Sequence, residues 1–137
     1  MSRLRVVNLG LPKSATTTVG QALAASGLKV ADHKIQAGLT QHKDLAGRFV
    51  GRVMYDSYFK TGDPLAQLGE FDGFAEISAL HRAETWYPQT DASLIEAIAR
   101  NHPGVKFVAS WRDPRALSNS MLKWNNLVPR LTRLGVP

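Results

Sequence analysis

Two buried-strand patterns, each followed by a polar turn and an amphipathic stretch, give the chain its outline. From Arg3 to Leu9 the apolar residues are contiguous, which predicts a first strand covered on both faces. Thr17 to Ser26 follows with Val19, Ala22 and Leu23 on one stripe and Gly27 in a C-cap position, so a helix is expected there. Leu28 to Ala31 reads as a second short strand. Asp44 to Tyr58 reads as a helix with Leu45, Phe49, Val53 and Met54 on one side, broken by Thr61-Gly62-Asp63-Pro64. Phe71 to Ile77 is strand-like. Asp91 to Asn101 is a helix with Leu94, Ile95, Ile98 and Ala99 as its apolar face. Val105 to Trp111 is the second clear strand, with Trp111 placed in the core at its end. It leads through Arg112-Asp113-Pro114 into a helix from Arg115 to about Asn125, capped by Asp113.

Helices alternating with buried strands argue for an α/β fold, a small parallel β-sheet flanked by helices in three layers. On such a sheet ligands bind outside the carboxyl ends of the strands. The turns at Gly10–Thr17 and Arg112–Pro114 both follow strands, so the fold rule puts them on one rim.

Composition narrows the chemistry. The 137 residues suit one domain, taken as 1–137, and contain no cysteine, which excludes disulfides, thiolate metal sites and cysteine nucleophiles. No run approaches the roughly 20 apolar residues of a membrane span, and no signal peptide is evident, so a cytoplasmic protein without membrane association is the expectation. The net charge of +6 is uneven: residues 1–60 carry +6, residues 61–111 carry −4 and residues 112–137 carry +4. Basic runs interleaved with aromatics are missing, so nucleic acid is not the expected partner; a small polyanion accounts for basic residues at both ends.

The first turn departs from the common nucleotide-binding pattern of glycine, four residues, glycine, lysine and Ser/Thr. Gly10 and Thr17 fit, but Ala15 stands at the second glycine and Thr16 at the lysine, while a lysine comes earlier, at Lys13. Backbone N–H groups at such a turn still suit a phosphate. Arg112 and, eight residues later, Ser120 offer a guanidinium fork and a hydroxyl at the second turn.

Together the two turns resemble the sulfotransferase family that uses 3′-phosphoadenosine 5′-phosphosulfate (PAPS), in its bacterial type. The family's Pro-Lys-Ser/Thr-Gly-Thr-Thr loop is matched by Pro12-Lys13-Ser14-Ala15-Thr16-Thr17, and its strand, arginine and serine by Val105 to Trp111, Arg112 and Ser120. The resemblance covers about residues 3–26 and 71–125. It implies a P-loop-like fold, PAPS as co-substrate, no catalytic metal, and transfer of a sulfuryl group to a hydroxyl or amine of a small-molecule or glycan acceptor. It also implies that Lys13 contacts the bridging oxygen, that the loop from Pro12 to Thr17 holds the 5′-phosphate, and that Arg112 and Ser120 hold the 3′-phosphate. Ala15 replaces the family's loop glycine, and if φ is positive there alanine carries about 1–2 kcal/mol of strain.

A general base is needed beside the acceptor. Glu76 is the first candidate and His81 the second; an ion pair with Lys13 or Arg82 is the other reading of Glu76. Trp86 and Tyr87 are candidates for an acceptor pocket. The chain stops at Pro137, soon after Ser120, where the family continues with a segment closing over the nucleotide, so a short or truncated member is expected, with an uncovered face that would drive a homodimer. Two alternatives stay open: a member of the family that binds the nucleotide without turnover, and a P-loop kinase, for which Thr16 is the wrong residue.

Overall fold

β1 (Arg5–Asn8) lies inside a four-stranded parallel sheet, between β3 (Gly73–Phe74) and β6 (Val105–Val108), with β2 (Val30–Ala31) outermost beside β3. The computed structural model describes residues 3–80 and 85–123, without the side chains of 121 and 123. Val7 stands in register with Phe74 and Phe107, and Ala31 with Phe74, so these four share one face. Val6, Gly73, Val30 and Lys106 share the other.

The two faces are covered differently. α1 (Thr16–Ala25) packs on the Val6 face, where glycine at 73 makes room for it: a Cβ there would sit 3.2 Å from Leu23 Cδ1. On the Val7 face, α2 (Val50–Thr61) and α3 (Ala92–Asn101) close a core with Val7, Phe74, Val53, Met54, Leu94 and Ile98 fully buried. Right-handed crossovers require this split, because the chain steps from β1 one way to β2 and from β3 back across β1 to β6. Burial of one such large apolar side chain contributes roughly 1.5–3 kcal/mol. A hairpin of β4 (Ala79–Leu80) and β5 (Thr85–Trp86) lies beyond the sheet, and α4 (Pro114–Lys123) follows β6.

Most expected elements form, with instructive differences. The helix expected from Asp44 begins at Val50, because Gly47 takes a left-handed φ of 81° and Phe49 is extended and bridges to Lys34. Leu45 is still buried, but from a turn. In α3 it is Ala97, not Ala99, that is buried with Leu94 and Ile98; Asp91 caps this helix by accepting from Leu94 N–H at 3.2 Å. β6 ends at Val108 rather than Trp111, and Trp111 is 76% exposed instead of in the core. Ser110 is drawn back toward β1, which turns the chain out of the sheet before the tryptophan. Among the described residues no helix is long and apolar enough to cross a membrane.

The carboxyl ends of β3, β1 and β6 meet at one side chain. Asn8 is fully buried, and its carboxamide donates to Ala75 O at 2.8 Å and to Ser110 Oγ at 3.1 Å. Its oxygen accepts from the Gly10 and Ser110 N–H groups, both at 3.0 Å. At the other end of the sheet, buried Arg5 donates to Leu68 O and Phe71 O, and its guanidinium also meets His102, which pairs with Asp63. Replacing Asn8 by alanine strands two buried N–H donors and a carbonyl. Asn8→Ala is expected to cost about 2–4 kcal/mol in urea unfolding, and a loss below about 0.5 kcal/mol would contradict this account of the strand ends.

Candidate functional site

The rim at the strand ends is built by backbone strain and close approach. After β1 the chain runs through Gly10, where a Cβ would lie 1.9 Å from Ser110 Oγ and 2.8 Å from Ser14 Oγ; only glycine fits. Lys13 and Ala15 both adopt left-handed φ, 67° and 66°. The positive φ that would strain alanine is therefore present at Ala15, which is also the N-cap of α1 and has no side chain able to cap it. The first N–H groups of α1 are left facing the rim without a side-chain cap and without an acidic residue in the first turn, an arrangement that suits an anion.

Ser14 behaves differently from the expectation. Its hydroxyl donates to Leu11 O at 2.5 Å and lies 2.8 Å from Ser110 Oγ, its N–H donates to Leu11 O, and the residue is buried. Ser14 and buried Pro12 shape the loop from inside instead of lining the cleft. From the second turn, Arg112 reaches back and donates to Lys13 O at 3.2 Å, joining the two turns. Asp113 caps α4 by accepting from Ala116 N–H at 3.1 Å, and this helix carries Ser120 to the same cleft.

The cleft has a volume of about 400 Å³, within the range of small-ligand sites. Lys13, Ala15, Thr16, Thr17, Arg112 and Ser120 line it, and Glu76 forms part of its far wall. The structure thus brings together seven of the residues singled out in the sequence. His81 lies outside the described residues.

The far wall adds two residues with no sequence signal of their own, Asp32 and His33. They directly follow β2, so the rule of strand carboxyl ends points to them once that short strand is located. His33 Nδ1 lies 3.6 Å from Asp32 Oδ1 and 3.9 Å from Glu76 Oε2. Hydrogen bonding to Asp32 pushes the His33 imidazole above its usual value and, reciprocally, holds the Asp32 carboxyl below its own. Burial pushes the Glu76 carboxyl up, and Asp32 adds to this, against the opposing pull of His33 and Lys13. One wall of the cleft is cationic and the other holds a histidine between two carboxylates. Each member of this trio offers a ligand atom within 4.8 Å of the others, a donor set that suits a divalent cation. No metal-ligand spacing is visible along the chain, because Glu76 joins the other two only through the sheet.

Among protein-family models, curated proteins and solved structures, none matches the chain. The functional reading accordingly rests on these residues and their geometry.

Two measurements check the site. Ala15→Gly relieves left-handed strain and is expected to stabilise the chain by about 0.5–1 kcal/mol, the relief less the entropy glycine loses on folding; a destabilised variant contradicts the strained turn. In an NMR titration His33 is expected to protonate at a pH above the ordinary histidine value of 6.5, and Asp32→Asn to lower its midpoint. An unchanged midpoint means that Asp32 does not hold the imidazole.

Proposed function

We propose that the chain is a PAPS-dependent sulfotransferase of P-loop-like architecture. The observation that carries this reading is the convergence of Lys13, Thr16, Thr17, Arg112 and Ser120 on one cleft, although they come from turns about a hundred residues apart. Thr16 and Thr17 with the N–H groups of α1 hold the 5′-phosphate, and Arg112 and Ser120 hold the 3′-phosphate. Ser14 keeps the loop in shape.

The transfer then needs little beyond placement and charge. The acceptor oxygen bonds to sulfur as the bond from sulfur to the phosphate oxygen breaks. The acceptor's proton passes to Glu76, and the negative charge left on the bisphosphate is met by Lys13 and the loop N–H groups. A carboxylate raised by burial is a stronger base than a solvated one. His33, held by Asp32, faces Glu76 and sets the local charge.

Calorimetry with adenosine 3′,5′-bisphosphate and with magnesium-ATP tests the reading. The bisphosphate is expected to bind more tightly, and Arg112→Ala to weaken it about tenfold or more. Preference for magnesium-ATP would overturn the proposal in favour of a kinase. Binding with no sulfate transferred to any of a broad set of alcohols and amines would leave a nucleotide-binding protein without turnover.

For an acceptor that is turned over, the rate is expected to rise with pH through the Glu76 titration. Protonated Glu76 cannot take a proton, and its pKa is raised, so the limb lies above the ordinary carboxylate value of 4.5. Glu76→Gln removes the limb and slows transfer by about 10²–10⁴-fold; a full rate in that variant excludes Glu76 as base. The 4.8 Å grouping of Asp32, His33 and Glu76 favours a second reading of this wall as a cation site. Manganese broadening the His33 resonance at micromolar concentration would establish that reading in place of the base.

A further inference from the structure

A second cavity, of about 420 Å³, opens beside the acidic wall of the cleft. Lys34, Arg48, Phe49, Arg52, Asp56 and Trp86 line most of it. It adjoins the first through a shared strap: Val50 N–H donates to His33 O at 2.9 Å, Lys34 bridges to Phe49, and the His33 and Phe49 rings are 6.2 Å apart. His33 belongs to the first cavity and Phe49 to the second, so a molecule seated in the second is one aromatic pair away from Glu76.

The chemistry of this cavity is distinctive. Among the described residues its charged lining is Lys34, Arg48, Arg52 and Asp56, and Asp56 is paired with Arg48. The other two cations are held over rings, Lys34 Nζ 5.1 Å from the Phe49 centroid and Arg52 5.9 Å from that of Trp86. Trp86 is fixed in turn by Tyr55, edge to face at 4.8 Å. Two immobilised rings offer a stacking surface for a flat or ring-shaped group. The guanidinium and ammonium groups offer hydrogen-bond donors for an anion at its edge. An uncharged acceptor would use the rings and gain nothing from the cations.

We infer that this cavity is the acceptor subsite and that it selects a six-membered ring bearing a carboxylate, either a uronate sugar or an aryl acid. The inference rests on the sulfuryl-transfer reading for the word acceptor, and on the cavity alone for the ligand class. The ring lies against Trp86 and Phe49, Lys34 and Arg52 hold the carboxylate, and a ring hydroxyl is directed past His33 toward Glu76.

The test uses two matched pairs on the ¹⁵N-labelled protein: glucuronate against glucose, and 4-hydroxybenzoate against 4-hydroxybenzyl alcohol. The acid of one pair is expected to bind about tenfold more tightly than its neutral partner, and which pair does so separates sugar from aryl. Shifts should fall on Lys34, Phe49 and the Trp86 indole N–H. Arg52→Ala and Lys34→Ala, both at exposed positions, should each weaken the acid severalfold and leave adenosine 3′,5′-bisphosphate affinity unchanged. Equal binding within both pairs overturns the inference, as do shifts confined to Lys13 and Arg112, which would mark the acids as phosphate mimics. If the bisphosphate fails to bind while an acid still depends on Lys34 and Arg52, the sulfuryl-transfer reading falls and the acidic-ring site stands.

Discussion

The carboxamide of Asn8 is the constraint on which the rest of this rim depends. A buried amide must satisfy both donors and its oxygen or destabilise the fold, and here its four contacts run to β3, to the start of the first turn and, twice, to the segment after β6. Strand pairing alone fixes the sheet but not where the chain goes on leaving it. Asn8 fixes that for two turns at once. Ser110 then passes the constraint on to Ser14, so the loop between β1 and α1 is seated from below by polar contacts. α1 itself is covered little; Thr16 is its one buried residue. The helix follows the loop, and not the reverse.

On this base the cleft acquires two walls of opposite character. Lys13 and Arg112 come from the turns after β1 and β6, and Asp32, His33 and Glu76 from the chain just beyond β2 and β3. The division follows strand order: β1 and β6 are neighbours, and β3 and β2 continue the sheet on the other side. A ligand that carries negative charge at one end and a proton to be removed at the other meets the appropriate partner at each. Within the acidic wall, hydrogen bonding to Asp32 raises the His33 imidazole, and burial raises the Glu76 carboxyl.

Much of this was legible in the residues. The strand, turn and helix around Gly10, and the strand and capped helix around Asp113, were set by contiguous apolar residues and by cap chemistry that local sequence carries. The facing of Arg112 and Lys13 followed from the parallel fold. What escaped was set by tertiary contacts. Ser14 reads as a ligand hydroxyl in the loop, yet Leu11 and Ser110 turn it inward. Trp111 reads as the end of a buried strand, yet Asn8 ends that strand early. Asp32 and His33 follow a strand of two residues, too short for any period to announce, and their meaning comes from Glu76 across the sheet. The helix expected from Asp44 lost its first turn to Gly47, whose left-handed backbone no hydrophobic pattern encodes.

The contact between Gly10 and Ser110 also bears on how such a chain can change over time. Position 10 admits no Cβ while a serine hydroxyl stands where that carbon would go, and the hydroxyl at 110 is itself tied to Asn8 and Ser14. Removing the hydroxyl at 110 is not enough to admit alanine at 10, because Ser14 Oγ at 2.8 Å and the Ser110 carbonyl at 3.0 Å would still crowd its Cβ, so positions 10, 14 and 110 constrain one another. A lineage that keeps Ser110 is confined to glycine at 10 whatever it binds, so the start of the turn records the architecture of the sheet. The history of ligand choice would instead be written at positions such as 13, 15 and 33, which face the cleft and do not share that lock.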